Sequence, residues 1–359
     1  MKISLPNSDK LEENVEIVRK YYLKLLRREP DTFGLCHFSN LMDRSEINED
    51  KLIKIIKKSD EYRRIKSAEV HDRRSTYTFK GLYNIKYLIR PNSVLDNIVV
   101  KNGVFDKWIC LKLGGLIHKD ATVLDIGANA GLLTLPFAKV YVPDGLVYAF
   151  EPVSHIVNHL KTNIKLNQSL EDKVGDLFLR KLSKILTAFR RWQNKFSNII
   201  VEQKALQDNP RVNRITLNLR QAIHDNGLRN DGLSTIEKNL DFKIGEEVVK
   251  TSTVDRYVSE KNIYKLELIK IDTEGSEYRI LKGGKETIKK FLPIIIYEYS
   301  PTIDKLVSFE NSKRAYKFMK KMGYKQYRLI RNILIEMEDY NSKFADCNIV
   351  CFHKSKFPP

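Results

Sequence analysis

The sequence predicts an α/β protein: a doubly wound, mostly parallel sheet of seven strands, preceded by a small all-α domain. Three observations carry this. From Ala121 onward, short β-rich runs alternate with amphipathic stretches, the pattern of strands joined by crossover helices. The first of these runs ends at Asp125 and passes straight into the small-residue turn Gly127-Ala128-Asn129-Ala130-Gly131. The first 66 residues, by contrast, repeat their apolar positions only at helical spacing.

Taken in order, Val15, Val18, Tyr22, Leu25 and Leu26 predict a helix over 11–28 that Pro30 stops. Further helices are expected around Gly34–Met42 and Glu49–Ile65. Residues 67–80 are polar and charged, so 67–96 reads as a linker and lead-in to a domain covering 97–359. Its strands are expected at Val123–Asp125, Leu146–Phe150, Asn198–Lys204, Leu266–Ile271 and Pro293–Tyr299, with two more at Lys325–Ile330 and Asn348–Phe352. His155–Asn167 and Glu277–Phe291 read as crossover helices. In such a sheet the site lies at the strand C-termini.

Composition excludes several classes. Hydrophobic residues make up 42% of the 359, enough for a large core and against disorder. No apolar run approaches the ~20 residues of a membrane helix, and no signal-like h-region follows Met1, so a soluble protein is expected. Cys36, Cys110, Cys347 and Cys351 are scattered without metal spacing. A strand through 347–351 would hold its two cysteines roughly 13 Å apart, too far for a disulfide. A reducing, cytoplasmic setting fits. The net charge of +18 suggests anionic partners, yet residues 1–80 hold 18 basic and 14 acidic residues, a surplus of only +4. A solvated lysine-rich surface is the simpler account.

The turn after Asp125 carries the chemistry. A strand-to-helix turn of small residues lets backbone approach a ligand closely. A dinucleotide site would want Gly-x-Gly-x-x-Gly with pyrophosphate on the helix N-terminus. Here Asn129 replaces the middle glycine and Asp125 stands just before the turn, which suits a cofactor without phosphates. Glu151, 20 residues beyond Gly131, can accept hydrogen bonds from both ribose hydroxyls, as in nucleotide folds. Leu206 and Asp208 follow the third strand, where an adenine would lie, although an Asp in a post-strand turn is commonplace.

Three segments in order, Val123-Leu124-Asp125-Ile126-Gly127-Ala128-Asn129-Ala130-Gly131, Tyr148-Ala149-Phe150-Glu151-Pro152 and Ile269-Lys270-Ile271-Asp272-Thr273-Glu274-Gly275-Ser276-Glu277, resemble the FkbM-type methyltransferases. Leu281-Lys282-Gly283-Gly284 and Tyr297-Glu298 extend the resemblance, which covers about 97–353. It implies a Rossmann-like methyltransferase sheet and S-adenosyl-L-methionine as cofactor. Asp125, Gly127, Ala128, Asn129, Gly131, Glu151 and Pro152 would hold that cofactor, and Asp272 and Glu274 would face the transfer site. The family mostly methylates oxygen on sugars and related small molecules. An acceptor hydroxyl must lose its proton, so a carboxylate in reach would serve as general base. Asp272 is the expected base and Glu298 the alternative, while Asp272 can instead contact the cofactor's amino group. His224 is a further candidate, weighed against an ordinary loop histidine, and His155 reads as incidental. Three converging carboxylates can also hold a divalent cation, but no further oxygen-ligand spacing is evident and no metal is predicted.

Residues 22–34 and 59–62 resemble a helical accessory domain of the DUF4214 type, found attached to surface and glycan-related proteins. The expected function is therefore O-methylation of a sugar, glycan or glycolipid precursor. Another small-molecule or nitrogen acceptor, or a scaffold without catalysis, are the alternatives. A nucleic-acid acceptor fits poorly, because the fourth strand ends in Asp272-Thr273-Glu274-Gly275 and lacks the Asn/Asp-Pro-Pro-aromatic signature for flipped bases. The insertion at about 170–197 reads as a basic amphipathic helix, with seven basic and three acidic residues between Glu171 and Ile200. Packing on its own domain or on a second copy is expected, with peripheral contact at the inner membrane face left open.

Overall fold

The structure, a computed structural model, describes residues 8–26, 30, 32–63, 66, 75–113, 116–168, 196–223, 228–230, 243–301, 304 and 310–356. The sequence-predicted insertion lies outside these residues except at Phe196 and Ser197, as does His224.

Three N-terminal helices, α1 (Ser8–Tyr21), α2 (Thr32–Asp43) and α3 (Glu49–Lys58), share a core in which Val18, Leu52 and Ile56 are buried. The first departs from regular geometry at Tyr22–Leu26, which form a wider turn. Asn48 caps α3 by accepting the Lys51 amide at 3.0 Å, with Glu49 and Asp50 in its first turn and Lys57 and Lys58 in its last, a charge order that suits the helix dipole. The helix predicted over Glu49–Ile65 is broken once: α3 stops at Lys58, and residues 60–63 are helical again beyond Ser59. Ser59 takes an extended backbone there, donates to the Ile56 carbonyl and accepts the Tyr62 amide.

The stretch that reads as a lead-in is structured. Strands β1 (Tyr77–Lys80) and β2 (Lys86–Ile89) form an antiparallel hairpin, followed by α4 (Val94–Asn102) and α5 (Lys107–Leu113). Its turn uses Tyr83 and Asn84 at positive φ, a signal that composition does not carry. Ile85, Tyr87, Ile89 and Val99 are fully buried in the same apolar cluster as Val123 and Val147.

The main sheet then runs β3 (Thr122–Ile126), β4 (Leu146–Phe150), helix α6 (Ser154–Leu166) and β5 (Ile199–Glu202). His159, Asn163 and Asn167, spaced four apart on α6, bond the backbone of Leu88 and Lys86, so one helix face satisfies the open edge of β2.

Next come β6 (Ala205–Leu206), β7 (Arg214–Arg220), β8 (Ala222–Ile223), β9 (Arg229–Asn230) and β10 (Lys243–Ser252). β10 pairs antiparallel with β7 and parallel with β6, a second sheet in what reads as polar loop. Its inner residues Leu217 and Val249 bury Val153 and Ile156 at the start of α6. After α7 (Val254–Glu260) follow β11 (Leu268–Ile271), α8 (Glu277–Gly283), α9 (Lys285–Phe291), β12 (Ile294–Tyr299), α10 (Asn311–Lys321), β13 (Tyr324–Ile330), β14 (Ile333–Glu336) and β15 (Cys347–His353). Gly284 divides the predicted single crossover helix into α8 and α9.

The sheet order is β14-β13-β15-β12-β11-β3-β4-β5. The run from β12 to β5 is parallel, and β15, β13 and β14 are antiparallel. The sheet therefore has eight strands rather than seven. The extra one, β14, returns through the two-residue turn Arg331-Asn332 with Arg331 at φ +52, where Asn-Gly would be the readable signal. Alternate residues of each central strand bury opposite ways. Val123, Val147, Leu268 and Ile296 lie in one cluster, and Leu124, Tyr148, Ile269 and Tyr297 in the other, as a sheet covered on both faces requires. Each such buried side chain contributes about 1.5–3 kcal/mol. Cys347 and Cys351 share β15 and are free thiols.

Candidate functional site

The parallel strands end at one rim, and a cavity of about 370 Å³ opens there, the size of a small-molecule site. Its floor is the turn after β3. Gly127 sits at φ +79, and a Cβ on it would lie 1.8 Å from the Asp272 carbonyl oxygen, so only glycine permits this contact between turn and β11. Asn129 takes φ +48, a conformation asparagine tolerates.

Every amide from 127 to 131 has a partner inside the protein. Gly127 and Ala128 donate to the Phe150 carbonyl, Asn129 to Glu151 Oε2, Ala130 to its neighbour Asn129 Oδ1, and Gly131 to the Ala128 carbonyl. The turn thus presents no free nest of amides, and a pyrophosphate would find few donors on it.

The expected cofactor residues separate into two sets. Gly127, Ala128, Asn129, Glu151, Pro152, Leu206 and Asp272 line the cavity. Three others lie outside that lining. Asp125 is fully buried beneath the turn, accepts the Thr134 hydroxyl at 2.6 Å and faces Lys270 at 3.6 Å. Gly131 packs against α6, where a Cβ would meet Leu160 Cδ1 at 2.3 Å. Asp208 pairs with Lys282 at 2.7 Å. The sequence shows that a turn and its flanks are special, but not which members face inward.

Glu151 accepts the Asn129 amide at 3.0 Å and the Val153 amide at 2.9 Å. Burial pushes its carboxyl up to about 7, against the pull of those two amides.

In the same lining, one carboxyl oxygen each of Asp272, Glu274 and Glu298 lies within 4.8 Å of the other two. Burial, then the charges of Asp272 and Glu277, raise Glu274 to about 8. Burial and Glu274 raise Glu298 well above the usual carboxylate range. The Glu298 Oε2 atom is buried without a hydrogen-bond partner. Asp272 instead meets Lys270 at 3.3 Å. Glu274, at φ +53, is held in a turn braced by Glu277, which accepts from the Thr273 amide and hydroxyl at 2.8 Å each. His155 is exposed at the start of α6, away from the lining.

Sequence reasoning missed two charged residues here. Asp106, just before α5, lines the cavity and accepts from Asn348 at 3.1 Å. Burial and Asp272 raise it to about 6, and no motif surrounds it. Lys270 stood inside a quoted motif, and a lysine in an otherwise apolar inner strand was the available signal. In all, Asp106, Glu151, Asp272, Glu274, Glu298 and Asp346 line the cavity against two cations, Lys270 and Arg279. The protein is basic, but its cavity is acidic. Its carboxyl groups accept hydrogen bonds from a donor-rich ligand, and S-adenosylmethionine, with its ammonium and hydroxyls, fits this acceptor set.

Among the described residues no helix is long and apolar enough to cross a membrane. Comparison with known proteins supplies the family. The FkbM methyltransferase domain matches residues 125–326. The chain is similar to the AMB antimetabolite synthetase AmbE of Pseudomonas aeruginosa, 27% identical over 173 residues, 47% of this chain but 8% of that protein. Among solved structures it is similar to an FkbM methyltransferase from Methylobacillus flagellatus KT, at 13% identity and a TM-score of 0.34. That alignment covers 94% of this chain and 60% of the other. It is also similar to an O-methyltransferase from Bacillus cereus solved with SAH, at 13% identity and a TM-score of 0.36, covering 69% and 80% of the two chains. The family match spans more than half of the chain, which therefore belongs to the FkbM methyltransferases, a family that uses S-adenosylmethionine.

Proposed function

We propose that this chain is an S-adenosylmethionine-dependent O-methyltransferase whose acceptor is a hydroxyl of a sugar, glycan or glycolipid precursor. The observation that carries the reading is the pairing of a saturated turn with an acid-lined cavity: the amides of 127–131 are satisfied within the protein, while six acidic residues are among those that line the cavity. Bound S-adenosylmethionine supplies an electrophilic methyl group on a sulfonium. Glu151 holds the ribose hydroxyls, Leu206 flanks the adenine, and Asp272 takes the amino group.

The base falls to Glu298 rather than Asp272. Asp272 is engaged by Lys270 at 3.3 Å, whereas Glu298 Oε2 is buried, lacks a partner and has a raised affinity for protons. Once ionised as pH rises, such a group accepts the proton of an aligned hydroxyl. Asp106 and Asn348, which line the same cavity and bond each other at 3.1 Å, offer an acceptor and a donor to the acceptor's other hydroxyls. The test is transfer of a labelled methyl group from S-adenosylmethionine to a panel of sugars and glycolipid precursors, with amines as controls. Labelled ether products support the reading, and labelled amines alone refute it.

A further inference from the structure

We propose that Lys270 is a positioning residue that locks the cofactor turn onto the end of β11; the proposal rests on the cofactor reading above. Lys270 lies between β3 and β12, with its side chain only 4% exposed. It shares a sheet face with Leu268, Val123 and Ile296, all in the apolar cluster. An ammonium in that layer is costly unless opposite charge and hydrogen bonds surround it.

They do, and they come from three places. The Lys270 ammonium donates to the Gly127 carbonyl at 3.2 Å, meets Asp272 Oδ2 at 3.3 Å and faces Asp125 Oδ1 at 3.6 Å. Asp125 is its register partner on β3, and Asp125 Oδ1 has no hydrogen-bond partner beyond this ion pair. Burial works against the charge, but Asp272, Asp125 and Asp106 outweigh it and hold the lysine above its ordinary range.

One cation thus ties the strand before the turn, the turn itself and the strand that carries the transfer-site acids. The tie falls at Gly127, where the turn packs against the Asp272 backbone just past β11 so closely that no Cβ fits. Without it, Asp125 is left buried and uncompensated, the Gly127 carbonyl is released, and Asp272 loses the partner that fixes its carboxylate.

The test uses the full chain and S-adenosylhomocysteine as probe. Lys270→Met is nearly isosteric, so a packing role alone leaves binding intact. The proposal expects a loss of at least about tenfold, much of it recovered by Lys270→Arg, which keeps the charge. It also expects the Lys270→Met/Asp272→Asn double variant to lose less than the product of the single losses, and faster hydrogen exchange confined to residues 125–131. If Lys270→Met does not fold, Lys270→Gln takes its place in the same cycle. Binding within about twofold of wild type with unchanged exchange overturns the proposal, as do strictly multiplicative losses without recovery by arginine. A wild type that binds no S-adenosylhomocysteine overturns the cofactor reading instead, and exchange at 125–131 still decides the lock.

Discussion

The Glu151 carboxylate, at the end of β4, accepts a 3.0 Å hydrogen bond from the Asn129 amide in the turn after β3. The residue expected to hold ribose therefore also satisfies one amide of the turn, so cofactor contact and turn geometry are linked through one side chain. Charge-assisted bonds of this kind contribute about 1.5–3 kcal/mol each. Glu151→Gln should weaken S-adenosylhomocysteine binding by about 10- to 100-fold with the fold retained, read by calorimetry and circular dichroism.

The same carboxyl gives binding a pH dependence. If ribose requires the ionised form, affinity rises as pH increases through about 7 and then levels. Stability runs the other way. Asp106, Glu151 and Glu274 are raised to about 6, 7 and 8, so the folded chain holds protons that the unfolded chain has already lost. Stability of the ligand-free protein then falls as pH rises from the ordinary carboxylate range through about 8. Thermal melts across that window check the sign, and a melting temperature that rises with pH contradicts it.

Two glycines in one turn should fail differently. A Cβ at Gly127 meets the Asp272 backbone and one at Gly131 meets the end of the Leu160 side chain. Gly127→Ala should abolish S-adenosylhomocysteine binding. Gly131→Ala should cost about 1–3 kcal/mol of stability, through the clash and the positive φ, yet leave the folded protein competent to bind. Equal binding losses in two folded variants would contradict the division of roles.

Glu298→Gln separates chemistry from binding. Methyl transfer should fall by about 10²–10⁴-fold while S-adenosylhomocysteine affinity stays near wild type. Because a carboxylate base needs no cation, treatment with EDTA should leave transfer unchanged. Loss on chelation and recovery with added manganese would move the role of Asp272, Glu274 and Glu298 to metal binding.

Much of this was legible because apolar strand runs and small-residue turns are local patterns. Strands β3, β4, β11 and β12 and the turn at 127–131 announce themselves within a few residues. What stayed hidden depends on contacts between distant segments. The β7/β10 sheet looks polar, because residues such as Arg214, Thr216 and Asn218 alternate with the inner-face Ile215, Leu217 and Leu219 and lie on the opposite face. β2 is read as linker, because its open edge is completed by side chains of α6 more than seventy residues away. Asp125 reads as a ligand residue from its motif and Asp208 from its place after a strand, and only packing reveals that each already has a partner. Lys270 was legible as an anomaly, but its meaning needed Asp125 and Asp272 in space.

The central claim is that the cavity at the end of β3, β4 and β11 holds S-adenosylmethionine and not a dinucleotide. Calorimetric titration of the full chain with S-adenosylmethionine and, separately, with NAD tests it most directly. The account predicts one-to-one binding of S-adenosylmethionine, lost in Gly127→Ala, and no heat from NAD. Binding of NAD without binding of S-adenosylmethionine would contradict it.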